Sequence, residues 1–388
     1  MSNPLLISIE CGNKYTKCFY YDHQNATFRP FIFSGKETLP TCVDFTRDPP
    51  IVGMETPRMD CVNDIMTFLG KKFEDVEDKV ARSQSEIVAD EDGYCKYVIP
   101  INDNEVHMSP RQILSLVLQH VKKEVLRYHN LPETHPVSVV LPVPGNFLDS
   151  QIKELVAAVE QAGMNVLTII NESSAVLYAH KEENIEEGYH FIVNLDHNNF
   201  DISVSEKRDK QILTKYKVGN SQLGLVDFIN NCKEAIVEQL DNPDFFRLTV
   251  HDTRALRMEK MKRIFILIQL IEKAIIELLK KEKSLIQLSQ VNIEQEIEIT
   301  RDLFDEWNDN LYQQFDDIIE KCISESAITK QKLKSITFVG VSEMPFIVKL
   351  ITTRFPDARI NHEIDSNKVI GIGALKFAMM KKDFFESK

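Results

Sequence analysis

Two polar turns between apolar strands are the places where this chain has the residues to hold a phosphate group. The first turn, Cys11–Tyr15, contains Gly12 and Lys14, whereas the second, Asp196–Asn199, contains no glycine. Phosphate-binding turns need glycine because their backbone N–H groups must approach the oxygens closely. In a partly buried cleft, Asp196 would repel a phosphate by about 1–4 kcal/mol at a few ångströms. Asn and Asp tolerate turn conformations, so the second turn is expected to keep its hairpin without a phosphate cradle.

Each turn belongs to a meander of three short strands. The meanders show apolar alternation and polar turns, which predicts antiparallel strands at Leu5–Glu10, Lys17–Asp22 and Phe28–Phe33, and again at His190–Asn194, Phe200–Glu206 and Gln211–Val218, with a last turn at Lys207–Lys210. An internal duplication half a chain apart predicts two related lobes.

Alternating strands and helices follow each meander. The pattern predicts strands at Val137–Leu141, Val166–Ile170 and Ser335–Val339, and helices at Asp149–Gln161, Glu172–His180, Leu223–Leu240, Asp252–Lys283, Pro345–Phe355 and Lys368–Met380. Asp149 is expected to cap its helix and Gly163 to end it. The arrangement indicates an α/β fold with mixed sheets.

Composition excludes several classes of function. A formal net charge of −13 argues against a nucleic-acid or anionic-membrane binder, which would need clustered Lys and Arg. The N-terminus has no signal-peptide pattern, and Ile264–Leu279 carries enough charge to predict a buried amphipathic helix rather than a membrane span. Seven scattered cysteines without CxxC spacing predict reduced thiols in the cytosol or nucleus, and no zinc site.

Several segments, in order along the chain, carry a family resemblance. They are Thr38–Phe45, Phe68–Asp75, Ser138–His180, Asn220–Phe228, Arg301–Ile323 and Lys334–Pro345. Together they resemble the nucleotide-binding domain of the 70-kDa heat-shock chaperones, within the actin and sugar-kinase superfamily. The resemblance implies the actin-like fold: lobe I at 1–183 with 360–388 returning to it, lobe II at 184–359 with a subdomain at roughly 225–305, and a cleft between them. No peptide-binding domain is expected, and so no client binding of the usual kind.

The resemblance also implies a ligand, ATP or ADP with Mg²⁺, and the residues that would contact it. The family's nucleotide contacts fall on Gly12, Asn13, Lys14, Asp196, Asn199, Gly219, Glu272 and Gly340. Its acidic catalytic positions fall on Glu10, Glu172 and Asp201, with Glu10 and Asp201 for the metal.

These motifs depart from the family pattern. The turn D-L-G-T-T becomes Glu10–Lys14, and D-L-G-G-G-T-F-D becomes Asn194–Asp201 with three glycines lost. The adenosine helix E-R-A-K-R-x-L-S becomes Glu272–Leu279, which replaces its Lys, Arg and Ser by apolar residues. The motif V-G-G-S-T-R-I-P becomes Val339–Pro345, one residue shorter and without its arginine. Met66 occupies the position of the family's catalytic lysine and cannot polarise a γ-phosphate.

Each retained residue has a structural alternative to its functional role. Lys14 is either a phosphate contact or an exposed turn lysine, and Glu172 either a catalytic acid or a helix cap. Asp201 is either a metal position or a polar strand-end residue. The apolar residues of Glu272–Leu279 either line a site for a less charged ligand or fill the adenosine position as core.

Three functions follow as hypotheses. The leading one is a pseudo-ATPase that acts in protein folding as a co-chaperone or scaffold, through protein partners and without nucleic acid or membrane. The second is a slow ATPase in which Lys14 replaces the missing lysine and the acids hold magnesium. The third is a cleft that binds a different, less charged ligand. The basic segment Arg254–Arg263 is either a solvated helix face or, by the resemblance, part of the surface that nucleotide-exchange factors grasp.

Overall fold

A computed structural model describes the chain outside residues 1–2, 55–60, 102–103, 181–184, 210, 221–222, 250–251, 327, 329–331, 343, 362 and 387–388. Its contacts divide the chain into two compact units. Unit 1 comprises Met1–Glu186, Lys210–Leu213 and His362–Lys388, and unit 2 comprises Glu187–Asp209 and Thr214–Asn361.

Unit 1 is built on a six-stranded mixed sheet with two small antiparallel sheets. Its strands are β1 Leu5–Cys11, β2 Tyr15–Asp22, β3 Thr27–Pro30, β4 Leu39–Pro40, β5 Val43–Asp44, β6 Ile51–Val52, β7 Cys61–Val62, β8 Glu86–Ala89, β9 Cys95–Ile101, β10 Asn104–Met108, β11 Val137–Val143 and β12 Asn165–Asn171. The main sheet has the order β12-β11-β1-β2-β3, with β4 beside β2. Strands β1, β11 and β12 run parallel, whereas β2 and β3 continue the sheet as an antiparallel meander.

The helices of unit 1 differ in how they begin. They are α1 Ile65–Phe68, α2 Glu77–Arg82, α3 Pro110–Tyr128, α4 Asp149–Gln161 and α5 Glu172–Ala179. Helix α3 begins at a capping box, in which the Ser109 hydroxyl accepts from the Gln112 N–H and the Gln112 side chain accepts from the Ser109 N–H. The prediction that Asp149 caps α4 was wrong: Asp149 is its first residue, and the Gln151 side chain accepts from the N–H of Leu148. Gly163 follows α4 with φ of +74°, as predicted for its C-terminus.

A second mixed sheet repeats this order. Its strands and those of a separate hairpin are β13 Gly188–Leu195, β14 Phe200–Arg208, β15 Gln211–Asn220, β16 Lys283–Gln287, β17 Glu296–Thr300, β18 Leu333–Gly340 and β19 Arg359–Asn361. The sheet order β15-β14-β13-β18-β19 matches β3-β2-β1-β11-β12 strand for strand. The pair β13–β14 is antiparallel like β1–β2, and β13–β18 and β18–β19 are parallel like β1–β11 and β11–β12. The predicted duplication and the mixed α/β fold are thereby confirmed. Lys210, in the predicted turn before β15, lies outside the described residues.

The remaining helices are α6 Leu225–Glu238, α7 Arg254–Leu278, α8 Arg301–Trp307, α9 Asp309–Glu325 and α10 Pro345–Arg354, with α11 Val369–Glu386 in unit 1. The apolar run Ile264–Leu279 lies in α7 with Leu267 and Ile271 buried, as expected for an amphipathic helix. The predicted extension of this helix to Lys283 was wrong. Strand β16 starts there and alternates exposed and buried residues, the period of two that a strand requires. The third predicted strand also proved shorter, since β3 ends at Pro30 rather than Phe33.

Candidate functional site

The first turn joins β1 to β2 and is closed by its own backbone. The N–H of Gly12 donates to the carbonyl oxygen of Tyr15 at 3.1 Å. A Cβ atom on Gly12 would lie 2.8 Å from that same oxygen, so the glycine is needed for the tight turn itself. The N–H of Gly12 is therefore already bonded within the turn.

The two polar residues of this turn, Asn13 and Lys14, interact with other residues of unit 1. The Thr67 hydroxyl donates to the side-chain oxygen of Asn13 at 3.0 Å. The Lys14 ammonium lies 5.5 Å from the centre of the Tyr15 ring, and its charge lowers the pKa of Asp64. Burial has the larger, opposite effect and raises the pKa of Asp64 to about 6. The structure thus places Lys14 beside an acid that the sequence analysis had not singled out.

Glu10 pairs with a lysine of the same hairpin. Lys17 is its direct cross-strand partner, and the Lys17 ammonium lies 3.4 Å from the Glu10 carboxylate. The same ammonium donates to the backbone carbonyl of Asn367 at 2.9 Å, just before α11. A Cβ atom on Gly371 would lie 2.7 Å from a Glu10 oxygen, so α11 packs closely on this carboxylate.

Two other positions of unit 1 have structural roles. The side chain of Asn171 accepts from the N–H of Ser173 at 3.0 Å and caps α5. Glu172 is the first helical residue, so the cap that the sequence analysis offered as its alternative role belongs to Asn171. Its carboxylate still lies where the helix dipole favours negative charge. Met66, at the position of the family's lysine, is buried in the core of unit 1.

The second turn, between β13 and β14, is bonded to the start of α6. Within the turn, the N–H of Asp196 donates to the Asn199 carbonyl at 2.8 Å. The carbonyl of Asp196 accepts from the N–H of Leu225, and that of His197 from the N–H of Val226. The free N–H groups of a helix N-terminus are a common anion site, but these two are already bonded to the turn. The Asp196 side chain is exposed rather than partly buried, so solvent weakens the repulsion expected from sequence.

Asp201 is buried at the start of β14 and has polar neighbours on several sides. The side-chain amides of Asn194 and Asn199 donate to one carboxylate oxygen at 3.2 and 2.8 Å. The Lys217 ammonium lies 3.6 Å from the other oxygen. Burial raises the pKa of Asp201, while Lys217 and the two amides lower it. Asp201 therefore already has hydrogen-bond donors and a positive charge from the chain itself.

The retained glycines near this turn are explained by close packing of the strands. A Cβ atom on Gly219 would lie 2.6 Å from the carbonyl oxygen of Phe200 and 2.8 Å from Cβ of Asp201. Gly340 has φ of +67°, and a Cβ atom there would lie 2.4 Å from the Leu195 carbonyl oxygen. Both positions require glycine for the sheet, whether or not a ligand binds.

The adenosine position of the family corresponds to a small pocket in unit 2. The pocket has a volume of about 30 Å³ and is lined by Ile275, Leu278, Leu279, Arg301, Phe304, Asp305, Tyr312, Met344, Pro345 and Phe346. The rings of Tyr312 and Phe346 stack there with centroids 3.6 Å apart. Ile275 is fully buried, whereas Ile276 is 47% exposed, so the helix contributes one core residue and one surface residue.

The basic segment Arg254–Arg263 has both paired and exposed cations, and the turn at Ser342 is partly described. In the basic segment, the Lys260 ammonium is buried and pairs with Asp252 at 2.8 Å, and Arg263 pairs with Glu259 at 2.6 Å. Arg257 and Lys262 remain exposed. The family position after Ser342, Glu343, lies outside the described residues. Ser342 is buried and donates to the carbonyl of Val193, which ties its turn to β13.

Sequence reasoning missed Lys17 and Lys217, the lysines beside two of the predicted acids. The predicted hairpin register contained the signal for Lys17, since a turn centred between Asn13 and Lys14 places it opposite Glu10. Lys217 had no comparable signal, because the turn predicted before β15 did not fix the register of that strand against β14. Within the described residues of either unit, no three His, Cys, Asp or Glu side chains form a group that could hold a metal. A search of the described helices found none with the length and apolarity to cross a bilayer.

Comparisons with known proteins agree with the fold. The family model described as Hsp70 protein matches residues 33–383. Similar proteins include Chaperone protein DnaK of Deinococcus proteolyticus (24% identical, covering 88% of this chain and 54% of that protein) and Chaperone protein dnaK3 of Thermosynechococcus vestitus (28% identical, 88% and 50%). A heat shock protein of Pyricularia oryzae is 25% identical over 95% of this chain and 60% of its own length. The chain thus spans about half the length of the curated relatives it matches. Because the family model covers most of its length, the chain belongs to the Hsp70 family, whose actin-like fold accounts for the two matching sheets.

Proposed function

We propose that this chain acts in protein folding through contacts with other proteins, as a co-chaperone or scaffold, and does not hydrolyse ATP efficiently. Membership of the Hsp70 family and the names of its relatives, which are chaperone and heat-shock proteins, support the folding role. The proposed loss of hydrolysis is supported mainly by the hydrogen bonds that the two turns make within the chain. The N–H of Gly12 at the first turn, and those of Leu225 and Val226 at the second, are bonded within the chain.

Some backbone groups that a phosphate could use at the two turns already have partners within the chain. The N–H of Gly12 is held by Tyr15, and the N–H groups of Leu225 and Val226 are held by turn carbonyls. A phosphate would have to break these bonds, and a desolvated carbonyl left without a donor is costly. Asp201 is likewise surrounded by donors of the chain.

The adenosine position gives an independent argument for the same proposal. The rings of Tyr312 and Phe346 stack in the lining of the small pocket at this position, which Ile275 also lines. A base would have to displace packed aromatic rings, and Ile275 provides no hydrogen bond in return. This packing favours the alternative in which the helix fills the adenosine position as core over the alternative of a less charged ligand there.

Isothermal titration of the purified chain with Mg-ATP and with Mg-ADP tests this proposal. We expect no saturable heat at nucleotide concentrations up to the millimolar range. An Hsp70 nucleotide-binding domain that keeps the family motifs serves as the positive control under the same buffer. Micromolar or tighter binding would remove the main support for the proposal.

The proposed partner surface includes the exposed face of α7. Arg257 and Lys262 present positive charge there, whereas Lys260 and Arg263 are paired with acids of the chain. We expect the double reversal of Arg257 and Lys262 to glutamate to weaken binding of a purified Hsp70 nucleotide-exchange factor, measured by biolayer interferometry. Reversal of Lys280, an exposed lysine beyond the end of α7, is the matched control. Equal binding of the exchange factor by the wild type, the double variant and the Lys280 variant would exclude this face of α7 as the partner surface.

The state of the thiols supports a cytosolic or nuclear location. None of the seven cysteines forms a disulfide, and six of them are buried. Buried thiols outside disulfides are typical of compartments that keep cysteine reduced.

A further inference from the structure

Two acids at the family's metal and catalytic positions each lie beside a lysine from their own sheet. The Lys17 ammonium lies 3.4 Å from Glu10, and the Lys217 ammonium lies 3.6 Å from Asp201. The first pair links β1 to β2, and the second links β14 to β15. Because β14 corresponds to β2 in the duplicated order, the two pairs are not copies of each other. A lysine therefore neutralises each acid by a separate arrangement.

The pair in unit 2 is the better enclosed. Side-chain exposure is 3% for Asp201 and 14% for Lys217. A carboxylate at this depth is stable as an anion only with a compensating charge or hydrogen bonds. The amides of Asn194 and Asn199 donate hydrogen bonds, and Lys217 supplies the positive charge.

The position of Lys217 on β15 brings its ammonium group close to the Asp201 carboxylate. Lys217 and Gly219 are on the same face of β15, because side chains alternate along a strand. Gly219 packs so closely on Asp201 that a Cβ atom would lie 2.8 Å from the Asp201 Cβ. In the part of the chain that the structure describes, the buried Lys217 nitrogen has no hydrogen-bond acceptor within range, and its ion pair is with Asp201.

A divalent cation would meet a fixed positive charge at both acids. We propose that Lys17 and Lys217 supply from within the chain the positive charge that a bound Mg²⁺ would supply to Glu10 and Asp201, so that neither hairpin needs a metal. This inference rests on the proposed function, which treats both acids as remnants of the family's nucleotide site. It goes further, because it names the groups that replaced the metal.

Thermal unfolding of the full chain in MgCl₂, compared with NaCl of equal ionic strength and without nucleotide, tests the inference. The wild-type melting temperature is expected to be the same in both salts. Lys217→Met should lower it by on the order of 5 °C, because Asp201 is left buried and unpaired. That variant should regain part of the loss in MgCl₂ but not in NaCl. Lys217→Arg, the matched control that keeps the charge, should melt closer to wild type and show no difference between the salts.

A double variant keeps the inference testable if Lys217→Met does not fold. Lys217→Met with Asp201→Asn removes both charges and is expected to fold and to melt above Lys217→Met. Lys17→Met with and without Glu10→Gln forms the equivalent pair in unit 1, with a smaller effect because Lys17 is more exposed.

Three results would overturn the inference. The first is a wild-type melting temperature that rises in MgCl₂ and loses this rise in Asp201→Asn. The second is a Lys217→Met variant that ignores MgCl₂, and the third is a double variant no more stable than the single one. Because these measurements contain no nucleotide, they can fail while the proposed loss of ATP binding still holds, and the titration with Mg-ATP can fail while they succeed.

Discussion

The backbone N–H of Leu225 donates a hydrogen bond of 3.0 Å to the carbonyl oxygen of Asp196, which ties the first residue of α6 to the second turn. Val226 bonds to His197 in the same way at 2.9 Å. Gly224 allows this approach, because a Cβ atom there would lie 2.4 Å from the His197 carbonyl oxygen. The helix N-terminus is thus closed by the turn that, with glycines, would have faced a phosphate.

Gly224→Ala should destabilise the chain, because the added methyl group has to push the turn away from α6. We expect the free energy of unfolding to fall by about 1–3 kcal/mol, measured by urea unfolding followed by circular dichroism. Asp196→Ala is the matched control: it keeps the carbonyl acceptor and removes an exposed side chain, so the change should stay within about 0.5 kcal/mol. A Gly224→Ala variant as stable as wild type would contradict the close contact.

Asp64 should make stability depend on pH. Burial raises its pKa to about 6 in the folded chain, against about 3.9 when unfolded. Between these values the folded state binds more protons, so the contribution of Asp64 is fully present below the unfolded pKa and is lost as pH rises through 6.

Asp64→Asn isolates this contribution, since asparagine also tolerates the positive φ of 54° at this position. The variant should be more stable than wild type at pH 7–8 by on the order of 1–2 kcal/mol, and the gain should shrink towards pH 4. Chemical unfolding of both proteins across this range measures the difference. A constant difference at all pH values would exclude the carboxyl group as its cause.

Lys14→Ala separates the leading hypothesis from the slow-ATPase alternative. Lys14 lies against Tyr15 and lowers the pKa of Asp64, so we assign it to the charge balance of unit 1 rather than to phosphate. Single-turnover hydrolysis with radiolabelled ATP should be at background level in wild type and variant alike. Turnover above background that Lys14→Ala abolishes would support the alternative.

Thiol reactivity should report folding rather than function. Burial raises the pKa of Cys11, Cys232 and Cys322 to about 12, so the reactive thiolate is scarce at pH 8. Ellman's reagent should label the native chain slowly and all seven cysteines rapidly in denaturant. Cys11→Ser tests the one thiol that is only partly buried. Rapid native labelling that this variant removes would show an activated thiol in the first turn.

The parts of the fold that the sequence predicted well are those where local pattern and tertiary packing agree. Alternation between polar turns located β1, β2, β13 and β14, and Gly163 marked the end of α4 because its left-handed backbone favours glycine. The predicted helix Asp252–Lys283 ran past the end of α7 at Leu278 and onto the first residue of β16, a strand that was not predicted. Strand β16 is defined by its antiparallel pairing with β17, which is distant from any local pattern.

The candidate site was less predictable for a physical reason. The loss of glycines from the second turn is visible in the sequence. The partners of Asp201 and of the N–H groups of α6, however, depend on contacts between residues that are distant in sequence. Lys217 lies on β15 and pairs with Asp201 on the neighbouring strand β14. The first N–H groups of α6 donate to carbonyls of the second turn, at Asp196 and His197. Neither contact has a local signature.

Thermal unfolding with and without millimolar Mg-ATP tests most directly whether this chain has lost nucleotide binding. A ligand that binds the native state must raise its stability, by about 4 kcal/mol at a thousand times its dissociation constant. We predict the same melting temperature in Mg-ATP, in Mg-ADP and in buffer of equal ionic strength. A rise of several degrees that depends on the nucleotide would contradict the account.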